Sequence, residues 1–302
     1  MSCADKVFQE TITRILSEGV SDEGQHVRPR WLDGTPAHTL ALFGVTNRYD
    51  LGKEFPILTL RRTYYKSAWD EIAWIWQKKS NNIHELSSHV WDEWADENGS
   101  IGKAYGYQMA KLSRYRDVTR EGIEKAFGKD LTGKTFYFAE DGSCMMDQVD
   151  RVIYQLVNDP ASRRIMTNLY CIEDLSEMAL YPCVYSMTFV VCGNKLNALL
   201  NQRSQDMIAA NNWNVVQASL IVYALAACYG FEPGELLHVI ANCHIYTRHI
   251  EIAKKLIARE GFEAPKLWID PEVKDFYRFG RDSFRLDGYR YHDFSEKIEI
   301  AI

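Results

Sequence analysis

The sequence predicts an α+β protein: a single domain over residues 1–302 in which a mixed β-sheet is covered by helices. Three observations lead there. Strand-like segments come in hairpin order, mixed with helices, instead of alternating regularly as a doubly wound array would. The helical segments are amphipathic or strongly apolar, as covering layers must be. No Pro/Gly/Ser-rich linker, low-complexity tract or repeat divides the chain, and no Gly-rich phosphate loop or dinucleotide fingerprint is present.

The elements follow in chain order. Val7, Ile12 and Ile15-Leu16 recur at helical spacing, which predicts an amphipathic helix from about Asp5 to Ser17. His38 to Tyr49 reads as a strand. Tyr65 to Lys78 carries Trp69, Ile72, Trp74, Ile75 and Trp76 and reads as a helix, and Met146 to Val157 as another, stopped by Asp159-Pro160. Ile165 to Tyr170, Val184 to Cys192 and Leu196 to Gln202 are strand-like, and Gly193-Asn194 is a hairpin signal because both residues tolerate positive φ. Trp213 to Tyr229 is almost wholly apolar and stops at Gly230, the pattern of a buried helix with a glycine cap. Tyr246 to Arg259 is read as a last amphipathic helix.

Composition narrows the function. With 46% apolar residues the chain can bury a large core, and a net charge of −6 speaks against broad nucleic-acid binding, so an anionic ligand needs a local basic cluster. There is no 20-residue apolar run and no charged-then-apolar leader, so a soluble cytoplasmic protein without membrane attachment is expected. Seven cysteines, at 3, 144, 171, 183, 192, 228 and 243, include no Cys-x-x-Cys pair, which argues for thiols and against a disulfide framework or a metal site.

The chemistry concentrates between Tyr181 and His249. Cys183 follows a proline and opens a β-rich run, and Arg203 would favour its thiolate, although a free cysteine is more often an inert core residue. Arg203-Ser204 pairs a guanidinium with a hydroxyl, donors that suit a phosphate. Arg163-Arg164 is a second cationic pair, ordinarily a solvated surface feature. His244 and Tyr246 would share one face of an extended segment and could bond a sugar hydroxyl together, or pack as an ordinary core pair. A Cys183/His244 protease dyad is conceivable, without any accompanying signature.

At this point the sequence resembles the thymidylate synthase family, in its bacterial branch, along nearly its whole length. The resemblance rests on Asp33-Gly34-Thr35-Pro36-Ala37-His38-Thr39, Phe55-Pro56-Ile57-Leu58-Thr59, Trp91-Asp92-Glu93-Trp94, Tyr105-Gly106-Tyr107-Gln108, Ser162-Arg163-Arg164, Met178-Ala179-Leu180-Tyr181-Pro182-Cys183, Gln202-Arg203-Ser204-Gln205-Asp206, Trp213-Asn214-Val215 and His244-Ile245-Tyr246. It implies a sheet-mediated homodimer that converts dUMP to dTMP with methylene-tetrahydrofolate as carbon donor and reductant, through a covalent bond from Cys183 to C6 of uracil. No metal and no obligatory nucleic acid is implied.

By motif, Arg28, Arg203 and Ser204 would hold the dUMP phosphate, with Arg163 and Arg164 reaching in from the partner subunit. Gln202, Asp206 and Asn214 would line the nucleotide. The Asn214 amide suits uracil O4 and N3–H, and His244 and Tyr246 would meet the 3′-hydroxyl. Asp206, Trp91, Trp94, Ala210 and Arg61 would form the folate side, with Arg61 toward the glutamate tail. Glu71 and Tyr105 would move protons, and Ala301-Ile302 would close over the site. The chain departs from the family pattern at Ala209 to Trp213, at Ala241-Asn242, at Tyr181 in place of a proline, and at Val184 in place of a histidine. A dUMP hydroxymethylase and a non-catalytic nucleotide- or RNA-binding homologue are the alternative expectations.

Overall fold

Ser2 starts the first helix: its hydroxyl accepts the Asp5 N–H at 3.1 Å, satisfying one of the free donors of the opening turn of α1 (Cys3–Glu18). The structure is a computed structural model that describes all residues from 1 to 302. After α1 come β1 (Val20–Ser21), β2 (Thr39–Asp50), α2 (Tyr65–Ile72), α3 (Gly106–Ala110), β3 (Ser113–Tyr115), α4 (Arg120–Phe127), β4 (Phe136–Phe138), β5 (Cys144–Met146), α5 (Gln148–Asn158) and β6 (Met166–Asn168). The second half holds β7 (Val184–Cys192), β8 (Lys195–Asp206), α6 (Trp213–Tyr229), β9 (Glu232–Tyr246), α7 (Ile250–Ile257), β10 (Lys266–Ile269) and β11 (Phe284–Asp287).

Six strands form one sheet in the order β1-β2-β9-β8-β7-β6. All neighbours are antiparallel except β8 and β9, which run parallel and are joined through α6. The sheet is therefore mixed, as expected. The β7–β8 turn is the two-residue hairpin Gly193-Asn194, in which only Gly193 takes positive φ, at 61°. Helix α6 is buried without a break from Val215 to Ala226 and ends at Gly230 in the left-handed conformation, φ 78°. A helix apolar on every side must lie between other layers, and α6 does, with α2 on one side and β8 and β9 on the other.

Several boundaries differ from the sequence reading. Helix α2 passes into a π-turn over Ala73–Gln77 before ending at Lys78. Met146 belongs to β5, and α5 begins after Asp147, whose carboxylate accepts the Asp150 N–H at 2.9 Å. Tyr246 ends strand β9 and does not start a helix; a short 3-10 turn, Thr247–His249, separates it from α7. Of β9, fifteen residues long, the sequence reading touches only the extended end at His244 to Tyr246: Pro233 and Gly234 near its start hide an alternation that becomes regular at Leu236, His238 and Ile240, all buried. The two small sheets, β3-β5-β4 and β10-β11, were also not foreseen. No helix is long and apolar enough to cross a membrane.

Candidate active site

Cys183 precedes β7, and the β7–β8 register shifts between Val184 and Ser186, a bulge immediately beside the thiol. Opposite it on β8, Arg203 donates from Nη2 to the Tyr181 carbonyl at 2.7 Å and from Nε to the Pro182 carbonyl at 3.1 Å. Those two bonds hold its guanidinium 3.6 Å from Cys183 Sγ. The sequence reading has Arg203 favouring the thiolate, and Arg203 and Arg28 do act that way. Burial acts more strongly, so the Cys183 thiol titrates above its ordinary range. Of the seven cysteines, all free, only Cys144 and Cys243 are fully buried.

Beside Cys183 opens a largely apolar pocket, lined by Glu71, Trp91, Tyr105, Asn214 and Gln217 among others. Glu71 comes from α2 and is buried. Its Oε1 accepts Trp91 Nε1 at 2.9 Å, and its Oε2 accepts Trp213 Nε1 at 2.6 Å and Gln217 Nε2 at 2.9 Å. Burial raises the Glu71 pKa, and the three N–H donors oppose that rise without cancelling it. Tyr105 stands at φ 44°, ψ −98°, an uncommon conformation for a bulky residue. There its hydroxyl accepts the Cys183 N–H at 3.3 Å, and burial raises its phenol so that it stays neutral.

Asn214 lies in the first turn of α6, bonded to Gln202 at 3.2 Å and to Gln217 at 3.3 Å. His244 and Tyr246 do share a face of β9: their rings meet edge-on with centroids 5.1 Å apart. Asn242, one of the departures from the family pattern, holds His244 Nδ1 at 2.8 Å. Asp206 accepts the N–H groups of Ile208 and Ala209 through Oδ1, at 2.8 and 3.1 Å, which leaves Oδ2 without a partner in the chain. The Ala210 N–H donates to the Asp206 carbonyl at 3.1 Å, and the Ser204 carbonyl accepts Gln202 Nε2 at 3.2 Å. Trp94 packs edge-on against Trp91 at 5.6 Å.

Other expected residues lie farther from the thiol or are otherwise engaged. Arg28 is exposed, close enough to act electrostatically on Cys183 and Tyr246. Arg30 instead pairs its backbone with Ile302, donating at 2.7 Å and accepting at 2.9 Å, so the Ala301-Ile302 tail lies along the 30s loop. Arg163 and Arg164 are exposed and form no ion pair within the chain. Arg61 is engaged within the chain: its Nη2 donates to the carbonyls of Ile208 and Asn211, at 2.5 and 2.7 Å, and so braces the loop after β8.

Sequence reasoning passed over Trp213 as a Glu71 donor, and Gln217 and His238 altogether. Gln217 stands three residues beyond Asn214, which on a helix places it on the same side; that spacing was the available signal. His238 carried none, since only the pairing of β8 with β9 sets it against Gln202.

Comparison with known proteins places this arrangement. The family model described as "Thymidylate synthase" matches residues 6–302. Thymidylate synthases of Bacillus mojavensis and of Bacillus phage phi3T are each 42% identical over 306 aligned residues, covering 100% of this chain and of the relative. Among solved structures, thermostable thymidylate synthase A from Bacillus subtilis aligns with a TM-score of 0.84 at 40% identity, covering 99% of each chain.

Proposed function

The chain belongs to the thymidylate synthase family, and from that premise we propose that it methylates dUMP reductively to dTMP through a Cys183–C6 adduct. The observation that carries this reading is the convergence of Cys183, Glu71, Tyr105, Trp91 and Asn214, drawn from separate parts of the chain, on one cavity.

Cys183 Sγ adds to C6 of the uracil ring, and its proton leaves as the C–S bond forms. The raised thiol makes a proton acceptor necessary at neutral pH, while Arg203 at 3.6 Å stabilises the charge that develops on sulfur. Addition makes C5 nucleophilic. Asn214 holds the ring through O4 and N3–H, and negative charge passing to O4 is stabilised by that amide. Tyr105, neutral and bonded to the Cys183 N–H, is placed to relay the C5 proton. Glu71, with its raised pKa, exchanges protons with the pyrimidine side of the cavity through water.

Arg28, Arg203 and Ser204 hold the phosphate, and His244 and Tyr246 take the 3′-hydroxyl. The residues present fit a reduced folate, which supplies the one-carbon unit and the hydride. Trp91 and Trp94 offer ring faces, Ala210 lies on the loop that Arg61 braces, and Asp206 Oδ2 is an open acceptor for pterin N–H groups. The Ala301-Ile302 tail lies in position to close the site against water.

Arg163 and Arg164 complete the phosphate site of a second subunit. Supporting this, the face of the sheet turned away from α6 carries Leu199, Leu237 and Val239, half-covered in one chain and adjacent across β8 and β9. An apolar sheet face of this kind is suited to pairing with its own copy.

The test is to incubate the protein with dUMP and methylene-tetrahydrofolate and identify the nucleotide by mass spectrometry while following dihydrofolate. dTMP with equimolar dihydrofolate is expected, and Cys183→Ser should abolish turnover while still binding dUMP. Hydroxymethyl-dUMP with tetrahydrofolate, or a nucleotide left unchanged, would overturn the reading.

A further inference from the structure

Under the cavity, five side chains from α2, α6, β8 and β9 form an unbroken hydrogen-bonded line. Gln217 Nε2 donates to Glu71 Oε2 at 2.9 Å, Asn214 Nδ2 to Gln217 Oε1 at 3.3 Å, and Gln202 Nε2 to Asn214 Oδ1 at 3.2 Å. Gln202 Oε1 then faces His238 Nε2. Glu71, Gln217, Gln202 and His238 are buried, so water does not replace these bonds freely.

The line has a direction, and its two ends impose it. The indole N–H groups of Trp91 and Trp213, which can only donate, sit on the two Glu71 oxygens, so Glu71 acts as the acceptor at this end. Glu71 Oε2 therefore requires Gln217 to present its NH2 group, which turns the Gln217 carbonyl toward Asn214 and makes Asn214 donate through Nδ2. At the other end burial holds His238 neutral, its pKa lowered to about 3, and its Nδ1 has no partner. The ring proton then sits on Nε2, Gln202 accepts it, and Gln202 donates to Asn214 Oδ1. Both ends orient the same amide in the same sense.

That sense matters to a pyrimidine. Asn214 retains one free N–H on Nδ2 and one free lone pair on Oδ1, which complement uracil O4 and N3–H. Cytosine presents the inverse, an acceptor at N3 and a donor at N4, and would demand a flipped amide. Flipping Asn214 sets its NH2 against the Gln202 NH2 and its carbonyl against the Gln217 carbonyl. Two bonds would become two repulsions in a buried place.

We infer that Gln217 is a positioning residue that fixes the Asn214 amide in the uracil-reading sense, so that discrimination between uracil and cytosine nucleotides resides in the line anchored by Glu71 and His238 and not in Asn214 alone. The inference rests on the dUMP reading given above.

The experiment compares the full-length protein with Gln217→Met, close to the native shape but unable to take part in the line, and with Gln217→Ala. Dissociation constants for dUMP, dCMP and 2-deoxyribose 5-phosphate are measured without folate. The unaltered protein is expected to prefer dUMP. In both variants the preference should shrink by about three- to tenfold, the worth of one or two neutral hydrogen bonds, through weaker dUMP and unchanged or tighter dCMP binding, with the sugar phosphate unaffected. A preference left unchanged in both variants overturns the inference, as does a parallel loss for all three ligands, which would make Gln217 a packing residue. An unaltered protein that does not prefer dUMP overturns the functional reading first, and this inference with it.

Discussion

The histidine at 238 has no catalytic motif around it, yet it has the clearest consequence for solution behaviour. It is wholly buried and neutral, with its pKa lowered from 6.5 to about 3 by loss of solvent. The unfolded chain therefore binds one more proton than the native one between those values, and stability contributed above pH 6.5 is lost as pH falls through that window. Asp147, raised to about 6 by burial, works in the opposite sense. Comparing the unaltered protein with His238→Gln removes only the first effect. The expected outcome of urea titrations is that the loss of stability between pH 6.5 and 5 is smaller in the variant by roughly 1–2 kcal/mol. Equal losses would show that the ring accepts its proton without cost. Trp213, also at this scale, accounts for one departure from the family pattern: its indole N–H makes Glu71 a three-donor carboxylate.

At the scale of elements, the site depends on how α3 begins. Gly106 packs so closely on the Ser80 backbone that a Cβ would lie 1.9 Å from the Ser80 carbonyl oxygen. The close approach brings Tyr105, in its left-handed conformation, under the Cys183 N–H. Gly106→Ala must move one backbone or the other, at a cost of roughly 2–4 kcal/mol, and is expected to lower kcat as well as the urea midpoint. A variant with native stability and kcat would show that the contact is not needed. The strongly marked elements were legible in the sequence: α1 repeats at helical spacing, β7 is β-rich and ends at the Gly193-Asn194 hairpin signal, and α6 is apolar throughout and stops at Gly230. Most of β9 was not, because its opening residues are Pro233 and Gly234 and its partner β8 is reached only across α6.

At the level of the whole molecule, the proposed dimer would bring to each site arginines that its own chain does not supply. If Arg163 and Arg164 serve the neighbouring subunit's phosphate site, then Cys183→Ser and Arg164→Ala, each inactive or nearly so, should complement. In an equimolar mixture half the dimers are mixed, and each mixed dimer has one intact site, so about a quarter of full activity should return once subunits exchange. Activity no greater than the sum of the two variants would show that the arginines act within their own chain.

The sequence by itself determined the fold class and the family, because periodicity, caps and motif spacing are local properties of the chain. Cys183, Arg203, Asn214 and Glu71 could be singled out as candidates from their motifs alone. Tertiary structure alone decided their states: that burial outweighs Arg203 at the thiol, that Arg61 braces a loop, and that Glu71 and His238 set the direction of an amide between them. Desolvation and hydrogen-bond polarity depend on what surrounds a group in space, and residues 71, 217 and 238 become neighbours only when α2, α6 and β9 pack together.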